Sequence, residues 1–461
     1  MAVVPAMSTH RPLTHRGRTR ALARLCAAAV TAWLVACAPG PAEAAILDPR
    51  GIQSEAFSNG LRLIVSSEPD ASVIAVEVIV KVGSADEPQG QRGIAHLLEH
   101  VLWAGAGAGD QDPRRRIERV GGVINGGTLR DFTRFYATVP AGSLEAAVDA
   151  LGDVVARSKI DPVVFARERQ VIVQETTARQ EDPRTVLNDA AFAVVYGASS
   201  AYGSPIGGDA GDLGTVDVSA LALFREKWYV PNNMAVVVAG NVSFDAARAA
   251  VQRVFGPAAP SPLPDRARDA DRLPASAGEH RIELPITKAY VMAAFAGPEA
   301  SEHPQVCATD LMSTLLAHDP VGRLVVELKE QQAVADEVGI DFLTQRQRSL
   351  FGVWALCDPG ELEQAKSAIR AELARVAREP VPIGELATAK RLLAAGYAFA
   401  NETPADRAST LAFYEAIDTY RAASYYLSWV IDVSPHTLMA TAAQYSGEPA
   451  WIILVPGGAR Q

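Results

Sequence analysis

The sequence predicts an α+β protein of two structurally similar domains, each a mainly antiparallel sheet with helices packed against it. Three observations lead there. Short runs rich in β-branched residues, such as 72–82 and 234–239, are interspersed with longer amphipathic stretches. The second half repeats the first in outline: 288–295 reads as a strand like 72–82, and 450–455 closes its half as 234–239 closes the first. Between the halves, 256–278 holds five prolines among small and charged residues, the composition of a linker. At 461 residues, 49% hydrophobic and 21% charged, the chain has material for two cores. The expected division is a leader at 1–44, an N-terminal domain at 45–255, the linker at 256–278 and a C-terminal domain at 279–461.

The leader differs from the rest. It carries five arginines against one acid, then a largely apolar run at 25–36, too short to span a bilayer and suited to a secretory signal. Ala42-Glu43-Ala44 fits a cleavage site that releases a soluble protein. Leu34-Val35-Ala36-Cys37 resembles a bacterial lipoprotein box, which would attach the protein to a membrane through lipidated Cys37. Either exit implies a periplasmic or secreted protein. Beyond the leader, Cys307 and Cys357 remain, as one disulfide or two buried thiols. The net charge of −10 argues against nucleic acid as a partner.

In chain order, 45–56 is a short lead-in, and strands follow at 60–65 and 72–82. A helix then carries His96, Glu99 and His100 and ends in the glycines at 105, 107 and 109. A short basic helix at 113–120 follows; its run Arg114-Arg115-Arg116 reads first as a solvated face and second as a contact for a substrate carboxylate. Two strands, 123–128 and 131–139, come next, then an amphipathic helix at 143–158 with Ser143 as N-cap. Asp161-Pro162 opens a helix to about residue 180, since Asp caps well and Pro suits the first turn. Helices are expected at 184–196, 216–228 and 243–255, and in the second half at 303–317, 320–332, 361–378 and 383–400, with a strand at 349–356.

The chemistry concentrates in His96-Leu97-Leu98-Glu99-His100. On a helix the two histidines lie one turn apart on one face, so both imidazoles can bind one zinc ion. Glu99 lies beside them and must stay off the metal to act as a base. Zinc then needs a third protein ligand. Glu168 and Glu175, close to two turns apart on the helix opened by Asp161, are both candidates.

These residues resemble the insulinase/pitrilysin family of zinc metallopeptidases, the inverzincins, and in particular bacterial proteins akin to the mitochondrial processing peptidase. Gly93-x-Ala95-His96-x-x-Glu99-His100 is similar to the family's zinc helix, and Glu168-Arg169-x-Val171-x-x-x-Glu175 to its second element. The resemblance implies that His96, His100 and Glu175 bind one Zn2+, that Glu99 is the base and that Glu168 orients a ligating histidine. It implies that Asn125-Gly126-Gly127-Thr128 is the edge segment onto which a peptide substrate adds as a β-strand. The implied activity is hydrolysis of extended peptides in an enclosed chamber.

One departure bears on partners. Self-sufficient family members carry an arginine and a tyrosine in the second half that hold substrate and support the transition state. The matching positions here are Lys329 and Asp336. The resemblance therefore implies a heterodimer in which a zinc-less paralogous subunit supplies the Arg/Tyr pair. A self-sufficient homodimer and a zinc-less scaffold are the alternatives.

Overall fold

The computed structural model describes residues 46–266 and 277–457. The leader with its cleavage and lipoprotein motifs, including Cys37, and the middle of the 256–278 stretch lie outside the described residues.

Two sheets organise the chain. The first contains β1 (Ile52–Ala56), β2 (Arg62–Ser67), β3 (Val73–Val80), β4 (Val123–Thr128), β5 (Thr133–Pro140) and β6 (Met234–Gly240) in the order β1-β2-β6-β3-β5-β4. The second contains β7 (Gly278–Leu284), β8 (Ala289–Ala296), β9 (Ala335–Phe342), β10 (Leu350–Cys357) and β11 (Ala450–Pro456) in the order β7-β11-β8-β10-β9. The repeat is one of pairing as well as sequence. β2 runs parallel to β6 as β7 does to β11, and the remaining pairs in both sheets are antiparallel. β4 and β9 are therefore equivalent edge strands.

The helices of the first half are α1 (Ile94–Gly105), α2 (Pro113–Arg119), α3 (Leu144–Gly152), α4 (Pro162–Arg179), α5 (Pro183–Tyr196), α6 (Ala210–Thr215), α7 (Val218–Trp228) and α8 (Phe244–Phe255). Those of the second are α9 (His303–Ala317), α10 (Arg323–Val325), α11 (Leu362–Arg378), α12 (Ile383–Phe399), α13 (Pro404–Ile417), α14 (Arg421–Asp432) and α15 (Pro435–Ala442). Asp161 accepts from Val163 and Val164 amides and Ser243 from that of Ala246, as good N-caps do. Ser143 occupies the N-cap position without such a bond, and α3 stops at Gly152, where a π-type turn (Asp153–Arg157) follows. The segment expected as one helix at 320–332 is α10 running into another π-type turn, Val326–Gln331. The lead-in at 45–56 supplies β1.

Both faces of each sheet are buried, so the central strands read as continuous apolar runs. On one face of the first sheet, Leu63, Val65, Val76, Val78 and Val236 pack under α1, α3 and α8. On its other face, Ile64, Ala75, Ile79 and Val237 share a core with α13 of the second half. The second sheet mirrors this. Val291, Ala293 and Ile453 face α9 and α11, while Met292, Ala294, Ile452 and Leu454 pack against α5 of the first half. Each half thus lends one helix to the other's sheet. Cys307 and Cys357 are free, buried thiols in the shared core.

Ion pairs lock the same junction. Arg346 of the second half reaches Asp86 at 3.2 Å and Asp131 at 3.4 Å, and Lys81 and Arg62 meet Glu415 at 2.7 and 3.1 Å. Asp86 and Asp131 flank the beginning of α1 and the β4–β5 turn, so the junction sets the ground on which the candidate site stands.

Candidate metal centre

The site is built on α1. Its inward residues Ile94, Ala95, Leu97, Leu98, Val101 and Leu102 are fully buried, which fixes the helix in the core and leaves His96 and His100 on its outer face. The start of α1 is tightly specified. Gly93 has φ 94°, and a Cβ there would lie 2.4 Å from the Gly207 carbonyl, so glycine is required. The buried Glu87 side chain caps the helix, accepting from Gly93 N at 2.8 Å and Ala95 N at 2.9 Å. Burial pushes this carboxyl up to about 8, with the two amide donors pulling it back down.

α4 packs across α1. Ile172 turns fully inward, and Glu168 and Glu175, one turn to either side, reach the histidines. His96, His100 and Glu175 each bring a ligand atom within 4.8 Å of the other two. The nearest Glu175 oxygen is 3.9 Å from His96 Nε2 and 3.6 Å from His100 Nε2. Tetrahedral donors at ~2.1 Å from one zinc ion would be roughly 3.4 Å apart. The residues therefore fit the group: two imidazoles and one carboxylate converge at a spacing close to what a single ion requires. Glu168 Oε2 is 3.4 Å from His100 Nδ1, the nitrogen facing away from Glu175, and its other oxygen accepts from Arg167 at 2.8 Å. Burial, with His100 nearby, lowers the His96 pKa to about 3, so its ring is neutral as a metal ligand must be.

Glu99 is buried beside this set and is not a member of it. Thr128 Oγ1 donates to it at 2.9 Å, and the Trp103 indole N–H lies beside it against Gly126. Burial raises its pKa, which His100 and the Thr128 bond oppose. The segment Asn125–Thr128 lies on β4, which has β5 on one side and no strand on the other among the described residues. A Cβ on Gly126 would meet Trp103 Nε1 at 2.9 Å and Glu99 Oε1 at 3.2 Å, so glycine here lets the strand lie against α1. Lys329 and Asp336 sit elsewhere, paired with Asp319 at 3.5 Å and Lys288 at 3.1 Å.

Two family models match the chain in succession: insulinase (peptidase family M16) over residues 62–206, and the peptidase M16 inactive domain over residues 215–393. An uncharacterised zinc protease of Mycobacterium leprae is 29% identical over 88% of this chain and 92% of its own length. The chain belongs to the M16 insulinase family. Another uncharacterised zinc protease, from Bacillus subtilis, is 23% identical over 72% of the chain and 80% of the relative. Among solved structures, a Helicobacter pylori protease superposes with a TM-score of 0.80, at 22% identity, over 88% of this chain and 99% of that one. A Pseudomonas fluorescens peptidase M16 inactive domain gives 0.77, at 18% identity, over 89% and 99%. These likenesses make the two-domain α+β fold an M16 fold.

Three features of this M16 chain escaped the sequence reading. Glu87 lies six residues before Gly93, outside any capping pattern of three-residue spacing. The Thr128–Glu99 bond joins residues on different elements, and only the β4–α1 packing brings them together. Trp103 lies beside the expected base against Gly126, a neighbourhood that only the packing of α1 on β4 creates.

Proposed function

We propose that this chain is a zinc-dependent endopeptidase that hydrolyses extended peptides added as a strand to the free edge of β4. The observation that carries it is the convergence of His96, His100 and Glu175 around one point, with Glu99 alongside but outside the donor set. A zinc ion held by those three side chains supplies Lewis acidity, polarising the scissile carbonyl and making water easier to deprotonate.

The other roles belong to the chain. β4 fixes the peptide through main-chain hydrogen bonds, which tolerates varied side chains. Glu99 takes the proton from the attacking water and returns it to the leaving amine. Its bond from Thr128 holds the carboxylate in place and links that position to the substrate-bearing strand. Glu168, with Oε2 3.4 Å from His100 Nδ1, favours the tautomer protonated there and so keeps Nε2 free to ligate.

The positions matched to the transition-state pair hold Lys329 and Asp336, and a carboxylate is a poor neighbour for a developing oxyanion. The chain is accordingly the zinc-bearing subunit of a heterodimer whose zinc-less partner supplies an arginine and a tyrosine. Its leader directs it to the periplasm or beyond, as a soluble or lipid-anchored form.

The test is Glu99→Gln against metal content and turnover, with and without a co-expressed paralogue. Stoichiometric zinc with turnover lowered by ~10²–10⁴ supports the reading. Purification without zinc favours the scaffold alternative, and full activity of the chain alone removes the heterodimer.

A further inference from the structure

The arginine run at 114–116 resolves into three environments. Arg116 is ion-paired with Asp153. Arg115 is exposed. The Arg114 guanidinium has no carboxylate within ion-pair distance among the described residues, and its carbon stands 4.8 Å from the centroid of the Trp103 ring. Trp103 is only 5% exposed and lies, with Glu99, against Gly126 of the edge strand. Arg114 is thus separated by a single indole from both the proposed base and the middle of β4.

We propose that Arg114 and Trp103 form a subsite for an acidic substrate side chain, Asp or Glu, on the residue that lies beside Gly126. The inference rests on the peptidase reading and adds a substrate preference to it. A peptide strand on β4 presents alternate side chains to the two faces of the sheet. The α1 face at this point is identified by Gly126, whose missing Cβ would run into Trp103 and Glu99. Glycine lets Trp103 and Glu99 close onto the strand there, so the neighbouring substrate side chain on the same face meets the indole edge and the guanidinium stacked on it. Stacking holds the guanidinium plane and leaves its N–H edge free for a carboxylate, the geometry in which arginine excels. Arg116 is already neutralised and Arg115 has no ring beside it among the described residues, so within the run the role falls to Arg114.

The experiment measures binding rather than turnover. Zinc-loaded Glu99→Gln protein, in whatever assembly it purifies, is titrated with fluorescein-labelled decapeptides that carry a single Glu or Gln scanned along the sequence. At one position Glu binds about fivefold more tightly than Gln (~1 kcal/mol). That ratio falls to about one in Arg114→Gln, persists in Arg115→Gln, and turns into a preference for Lys in Arg114→Glu. Equal binding of Glu and Gln peptides at every position, or a preference that survives Arg114→Gln, overturns the subsite while the peptidase reading stands. Failure of every peptide to bind the protein with Arg114 intact overturns both.

Discussion

Glu87 offers the sharpest test of how the fold holds its metal helix. In Glu87→Ala the amides of Gly93 and Ala95 lose their acceptors, which now sit at 2.8 and 2.9 Å. Both donors are buried, and each stranded one costs ~1–3 kcal/mol. Burial already works against the charge of this carboxyl, so the lower half of that range applies, and the expected loss is about 3 kcal/mol for the pair. The loss is local to the start of α1. Global denaturation of a chain with two cores is a poor readout, because two-state behaviour is not assured. Hydrogen exchange read by mass spectrometry is better suited, since it reports opening segment by segment. About 3 kcal/mol corresponds to a roughly hundredfold fall in protection of α1 peptides. Peptides from α11, in the second half, should be unchanged. Glu87→Gln keeps one oxygen acceptor and should lose about half as much. Because Ala95 adjoins His96, zinc affinity measured by chelator competition should weaken in the same order. Unchanged α1 protection in Glu87→Ala, or an equal loss in α11, would refute the assignment of Glu87 as the clamp on this helix.

Other substitutions separate roles within the site. Glu168→Gln should reduce zinc affinity by ~10–100-fold in chelator competition, because the amide orients His100 less well than a carboxylate. Gly126→Ala should lower kcat with zinc content intact, since the added methyl meets Trp103 Nε1 at 2.9 Å and Glu99 Oε1 at 3.2 Å and so displaces the base. A pH test lies in the second half. Arg323 grips Glu385 at 2.6 and 2.7 Å and holds its carboxyl below the usual range. A depressed carboxylate contributes stability that is present above its unfolded pKa and disappears as pH falls through its lower folded pKa. The hydrogen-exchange protection of α12, corrected for intrinsic exchange, should therefore fall more between about pH 5 and pH 3 in wild type than in Arg323→Met, with Glu385 partly exposed and the difference correspondingly modest.

What could be read from the sequence depended on how locally each feature is determined. α1 and α4 were legible because their signals are contiguous: a motif set in an apolar helix, and an Asp-Pro pair at a helix start. The proposed metal ligands followed from helix geometry and a family pattern, and the fold brings all three together. β7 and β9 were missed. Both are edge strands with polar residues on one face, and β9 is further interrupted by Gly339, whose missing Cβ makes room for Trp354. α13 carried local signals, Pro404 at its start and a Thr403–Asp406 capping box, but its apolar residues follow no single stripe. The reason is tertiary: it is packed between its own half and the first sheet.

That exchange of helices bears on how the site is held. α5 follows directly on α4, which carries Glu168 and Glu175, and α5 is anchored on the second sheet rather than the first. Arg184, near its start, fixes it there through Asp341 at 2.7 Å and a guanidinium 3.5 Å from the Trp354 ring centroid. The two histidines are therefore set by the first half's core, whereas their carboxylate partners ride on a helix whose continuation is tied to the second. Relative movement of the halves would change the distance between Glu175 and the histidines before it disturbed the histidines themselves. Cutting the tie with Arg184→Ala should consequently weaken zinc binding from a position with no contact to the metal ligands. His96 and His100 should stay as protected from exchange as in wild type, because the core beneath α1 is untouched. Zinc affinity unchanged in Arg184→Ala would mean that α1–α4 packing alone positions Glu175, and that the lent helix serves only the core it covers.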